Sequence, residues 1–198
     1  MATPRPEPLE LHVHAMDNLR YIRQTIERAG SFTAVPGIGG MLMGSTALAA
    51  AWIASHQQAA GAWFAVWIAE SLVAMLIGVA GAALKSRKAK LPLLNGPGRK
   101  FIAGFAPAVL AGAFLTMVLY QGGSLALLPG TWMLLYGAGV VSGGGASVRV
   151  VPMMGSCFMA FGAAALLLPG VPGDIALAVG FGGVHIIFGT IIAVKYGG

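Results

Sequence analysis

Residues 85–100 read KSRKAKLPLLNGPGRK. The stretch holds six of the chain's twelve Lys and Arg residues and no acid, and an apolar run lies on each side of it. A cation at the middle of a spanning helix costs roughly 2.5–3.5 kcal/mol, so this stretch predicts a loop held in water. Its excess of positive charge assigns that loop to the cytoplasmic side. Asn95-Gly96-Pro97-Gly98 reads as a turn in its middle. Every other segment can be placed by counting outward from here.

Composition supports the same class. Of 198 residues, 57% are hydrophobic and 9% charged, with a mean hydropathy of +0.81. Soluble domains carry about a quarter charged residues, so this chain lacks the polar groups to coat a globule. Its 30 glycines suit a bilayer, where small residues let helices approach closely. The net charge of +6 does not argue for nucleic acid, because topology accounts for the cations first and anionic lipid second. The single cysteine, Cys157, allows no intrachain disulfide and no zinc cluster of the CxxC type. Mostly polar sequence before the first apolar run argues against a cleaved signal peptide.

Six apolar runs, 36–55, 62–84, 101–120, 125–141, 148–168 and 175–194, are each long enough for a hydrocarbon core of ~30 Å. The N-terminal arm, the 85–100 loop, Arg149 and Lys195 carry all twelve cations, and the three opposite connections carry none. That division requires both termini to be cytoplasmic. Trp52, Trp63 and Trp132 fall at outer helix ends with Trp67 one turn deeper, as interfacial anchors would. Ser142–Ser147 (SGGGAS) reads as a flexible connector.

The expected fold is therefore an all-α integral membrane protein, a six-transmembrane-helix bundle at 34–198 after an N-terminal cytoplasmic arm at 1–33. Within the arm, Val13, Met16, Leu19, Ile22 and Ile26 recur at helical spacing and predict an amphipathic helix over 9–29. Such a helix lies in the headgroup region or packs on a partner. Val35-Pro36-Gly37-Ile38-Gly39 and Val151-Pro152-Met153-Met154-Gly155 share a pattern that suggests three helical hairpins of like orientation.

Chemistry has few carriers. No Walker loop, HExxH or GxSxG motif occurs, so no catalytic residue, metal ligand or cofactor is assigned. Glu70 is the only acid inside an expected span and His185 the only histidine, at similar depths in spans that run the same way. Ionisable groups at that depth are functional candidates by default, and the two form a candidate proton or substrate pair if their helices adjoin. The competing reading makes each a hydrogen-bonding residue that holds the bundle together. Lys85, Arg87, Lys88, Lys90, Arg99 and Lys100 are candidate contacts for lipid headgroups.

Three stretches, RYIRQTIERAGSFTAVPG (20–37), LPGTWMLLYGAGVVSGG (128–144) and SVRVVPMMG (147–155), resemble an uncharacterised family of small multi-span bacterial inner membrane proteins. The resemblance implies a bacterial inner membrane setting and transfers no site residue. The function expected is that of a multi-pass membrane component without catalytic activity. It would act in the lipid bilayer as a homo-oligomer or through a protein partner bound at 9–29, with no nucleic acid. The alternative is a small transporter or channel-like protein with a proton-linked midplane site at Glu70 and His185.

Overall fold

A computed structural model describes residues 14, 16–22, 35–88, 90, 94, 97–145, 147–168 and 170–197. The chain falls into two compact units, Met1–Phe32 and Thr33–Gly198. In the first, residues 16–22 are helical (α1), and Met16, Leu19 and Ile22 of the apolar stripe are exposed. The rest of the 9–29 helix, with Val13 and Ile26, lies outside the described residues.

The second unit is helical, with no strand among the described residues. Its elements are α2 (Gly37–Ser55), α3 (Ala60–Lys88), α4 (Pro97–Gln121), a 3-10 turn at Leu125–Leu127, α5 (Leu128–Gly144), α6 (Val150–Leu167), α7 (Gly173–Leu177), a π-helical segment at Ala178–Val184 and α8 (His185–Tyr196). The last three join end to end, so among the described residues six helices are long and apolar enough to cross a membrane.

The helices trim the loops expected from sequence. Lys85, Arg87 and Lys88 form the last turn of α3, where cations suit the negative end of the helix dipole. Pro97 opens α4, a position where its missing N–H costs nothing, so Pro97–Lys100 is helix and not loop. Ser142–Gly144 is also helix, not connector. Both positions admit only glycine: a methyl group on Gly143 would sit 2.6 Å from the Phe101 carbonyl, and one on Gly144 would sit 2.6 Å from the Val151 side chain. Pro107 lies inside α4, which continues through it.

Pairing follows the glycines. The most extensive contacts are α5 with α6, α4 with α5, α2 with α8 and α2 with α3. At Gly44 of α2 a Cβ would lie 2.6 Å from the Gly182 carbonyl, and at Gly189 of α8 one would lie 2.7 Å from the Met41 nitrogen. Gly137 and Gly155 are matched across α5 and α6, each with the other's carbonyl within 2.7 Å of a Cβ that is not there. Glycine is required at these points because backbone meets backbone. By their backbone contacts the order of neighbours is α3, α2, α8, α6, α5, α4, and side chains close it, with Phe64 of α3 against Tyr120 of α4 at 4.4 Å. α3 and α4 are the least covered: 6% of the most apolar window of each is buried, against 28–44% for the other four.

Candidate functional site

His185 begins α8 directly after the π-helical segment, which contains Gly180, Gly182 and Gly183 within seven residues. Glycine resists a regular α-helical turn, and π segments recur at functional positions. His185 is 4% exposed. Its Nδ1 lies 2.8 Å from the Phe181 carbonyl oxygen, and its Nε2 lies 2.8 Å from the Tyr136 hydroxyl. A carbonyl only accepts, so in the neutral imidazole the proton sits on Nδ1 and Nε2 accepts from Tyr136.

Aromatic rings enclose the pair. Phe105 and Phe158 meet Tyr136 edge-on at 5.5 and 4.9 Å, and Phe158 stands 4.9 Å from the His185 ring. Phe158 is fully buried. Four helices, α4, α5, α6 and α8, and the π segment thus supply one apolar cage around one hydrogen-bonded chain. The Phe181 carbonyl, His185 and the Tyr136 hydroxyl satisfy one another, and neither nitrogen of the imidazole is left for a further partner.

Glu70 sits elsewhere. On α3 it is half-buried, and its Oε1 lies 2.8 Å from Thr46 Oγ1 of α2. Thr46 Oγ1 is also 3.0 Å from the Met43 carbonyl. Thr46 Oγ1 donates to Glu70, with the Met43 carbonyl and, at 3.2 Å, the Leu42 carbonyl as further acceptors for its one proton.

The pair expected of Glu70 and His185 does not form. Both of His185's ring nitrogens are taken by Tyr136 and Phe181, and Glu70 has Thr46. The reason is the helix order: α2 packs on both α3 and α8 and lies between them. A groove of about 340 Å³ opens nearby, lined by Leu48, Phe161, Ala178, Val179, Gly183, Val184 and Ile187. Its lining is wholly apolar and includes neither residue.

A second polar node escaped the reading of the sequence. Asp174, in the first turn of α7, accepts the indole N–H of Trp63 at 2.7 Å and of Trp67 at 3.2 Å on the same oxygen. Trp63 stacks on Trp132, with centroids 6.0 Å apart and planes 6° apart. Trp132 in turn donates to Thr116 Oγ1 at 2.7 Å. These tryptophans therefore turn inward and tie α3, α7, α5 and α4 together; Trp67 is 4% exposed, whereas Trp52 stays exposed. The adjacency of Pro172-Gly173-Asp174, a helix start with an acid in its first turn, was the available signal. Its partners lie more than a hundred residues away in sequence.

The six cations separate into two kinds. Arg87, Lys88, Lys90, Arg99 and Lys100 are exposed, and Lys85 is buried with its Nζ 3.3 Å from the Val35 carbonyl. Cys157 is partly buried and free. No group of three or more His, Cys, Asp or Glu side chains comes together among the described residues. Comparison with protein-family models, curated proteins and solved structures finds no match to this chain.

Proposed function

We propose that this chain is a multi-pass membrane protein without catalytic activity. It acts as a structural, regulatory or partner-binding component of a bacterial inner membrane, with both termini on the cytoplasmic side. The setting is the one implied by its resemblance to small multi-span bacterial proteins, and the orientation follows from the one-sided distribution of its cations.

One observation supports the partner-binding reading above the others: α3 and α4 leave their apolar windows almost uncovered, at 6% buried each. Lipid covers such a face at no cost. It does not cover Glu70 equally well, because a half-exposed carboxyl at that depth gains from a polar neighbour. A partner helix along α3 would supply one.

Single cysteines at Leu76 of α3 and Val118 of α4, in a Cys157→Ser background, test this by cross-linking in native membranes. Leu76 and Val118 are 67% and 61% exposed, and Ile187 of α8, at 59%, serves as the comparison. One discrete protein adduct from Leu76 and Val118, and none from Ile187, is the expected result. An absence of adducts at all three would remove the reading.

A further inference from the structure

Glu70 stands midway along the helices and on their lipid-facing side. Its partner Thr46 lies nine residues from Gly37 and nine from Ser55, the two ends of α2. At a rise of ~1.5 Å per residue the bonded pair is therefore about 14 Å from either end of that helix. Both residues are half-buried. On α2 the stripe through Thr46 continues as Leu42, Ala49 and Ile53, and on α3 the stripe beside Glu70 is Ala69, Val73 and Leu76. All of these are exposed. The carboxyl thus lies in a groove between two apolar stripes that face away from the bundle.

Positive charge is what the groove lacks. Among the described residues Glu70 has no hydrogen bond besides that from Thr46, and no cation stands beside it. A carboxylate at that depth is expensive unless it is paired. One hydroxyl, whose single proton has two carbonyls as further acceptors, meets the need only in part. A second copy of this chain cannot complete it. From residue 33 onward Lys and Arg occur only at 85–100, 149 and 195, all at helix ends or connections. His56 caps the end of α2, and His185 is buried with both ring nitrogens taken. Lipid offers only hydrocarbon at that level.

We propose that Glu70 is the acidic half of an ion pair between chains, and that the groove between α2 and α3 takes a spanning helix of a different protein with a Lys or Arg at the middle of its length. This rests on the partner-binding reading above and names the chemistry of the partner. Thr46 occupies one carboxylate oxygen, and the other has no hydrogen bond among the described residues. Ala49 and Ala69 beside the carboxyl are small, so a second helix can come close. A basic residue in the middle of a span is costly by itself for the same reason as Glu70. Each helix therefore supplies the charge that the other needs, and a helix without the cation leaves the carboxylate unpaired.

The probe is a synthetic spanning peptide of Leu and Ala with one Lys at its centre, compared with peptides that carry Leu or Asn there. Energy transfer between labelled full-length protein and labelled peptide in phosphatidylcholine vesicles measures association. The Lys peptide is expected to bind about fivefold or more tightly than the Leu peptide and more tightly than the Asn peptide, and Glu70→Gln is expected to remove the difference. Equal binding of the Lys and Leu peptides, an Asn peptide as good as the Lys peptide, or a preference undiminished in Glu70→Gln would overturn the proposal. The first two comparisons use the unaltered protein, so they decide even if Glu70→Gln fails to fold. Energy transfer between two copies of the protein, without peptide, that is lost in Glu70→Gln would put a second copy in the groove and overturn it as well. In native membranes, the Leu76→Cys adduct should be lost when Glu70→Gln is added. An adduct that persists leaves a partner on α3 and removes the ion pair, whereas no adduct with either protein removes the reading on which it rests.

Discussion

The Tyr136 hydroxyl donates to His185 Nε2 across 2.8 Å, and the imidazole passes the chain on to the Phe181 carbonyl at 2.8 Å. This closed chain lies at the meeting point of α5, α6 and the π-helical segment, inside a cage of phenylalanines. A buried polar group stays cheap only while its partner is present.

Removing both partners should therefore cost less than the sum of removing each alone. Tyr136→Phe leaves Nε2 buried and unsatisfied, and should lower stability by about 1–3 kcal/mol. His185→Leu orphans the tyrosine hydroxyl in the same way. The double variant should lose less than the sum of the singles, because neither Nε2 nor the tyrosine hydroxyl is then left buried without the other. Denaturant unfolding in detergent, run as a double-mutant cycle, measures this, and strict additivity would refute the pairing energy.

Glycine substitutions should split by neighbour and not by helix propensity. In an exposed helix Gly→Ala gains about 1 kcal/mol. At Gly44 and Gly137 the new methyl would meet backbone atoms at 2.6 Å, so Gly44→Ala and Gly137→Ala should both lower Tm. At Gly183 nothing lies within 4 Å of the position, and Gly183→Ala should leave Tm unchanged or raise it. Thermal unfolding followed by circular dichroism distinguishes the two groups.

Asp174 should be worth more than its place in a turn suggests. Asp174→Ala strands the indole N–H groups of Trp63 and Trp67 and should cost about 1–3 kcal/mol. Asp174→Asn keeps one acceptor oxygen and should cost less. Tryptophan emission should shift to the red in the alanine variant as water reaches the two rings. An unchanged spectrum would mean that the bonds do not hold them.

Glu70 and His185 should act independently. With Thr46 as the partner of one and Tyr136 as the partner of the other, Glu70→Gln and His185→Ala should show additive effects on stability. Under the proposed function, wild type and both variants should give the same passive proton leak in proteoliposomes. A pH-driven flux present in the wild type and lost in either variant would favour the transport alternative.

How much of this was legible in the chain depends on whether the cause is local. Helix number and approximate limits follow from runs of apolar residues bounded by Gly, Pro and charge, all readable from neighbours in sequence. α5 runs beyond its expected limit to Gly144, and a Cβ on Gly143 or Gly144 would have no room against Phe101 or Val151. The π segment had a visible sign, its three glycines, but its consequence did not. Only the turn geometry places the Phe181 carbonyl against the His185 ring.

Partners across the bundle were not legible at all. Two residues at similar depth, Glu70 and His185, suggested a pair, and the interposed α2 separates them. The tryptophans suggested interfacial anchors, and Asp174 turns two of them inward. Apolar pattern tells how deep a residue lies along its helix and says little about which neighbour it faces, because inside a bilayer nearly every face is apolar. The choice is made by small residues, whose match is a property of two helices together. In 85–100 the sequence alone determined that the charge must stay out of the hydrocarbon. Only tertiary structure decided that one of those cations, Lys85, is buried against the start of α2 while the other five stay exposed, because burial depends on what another helix places beside it.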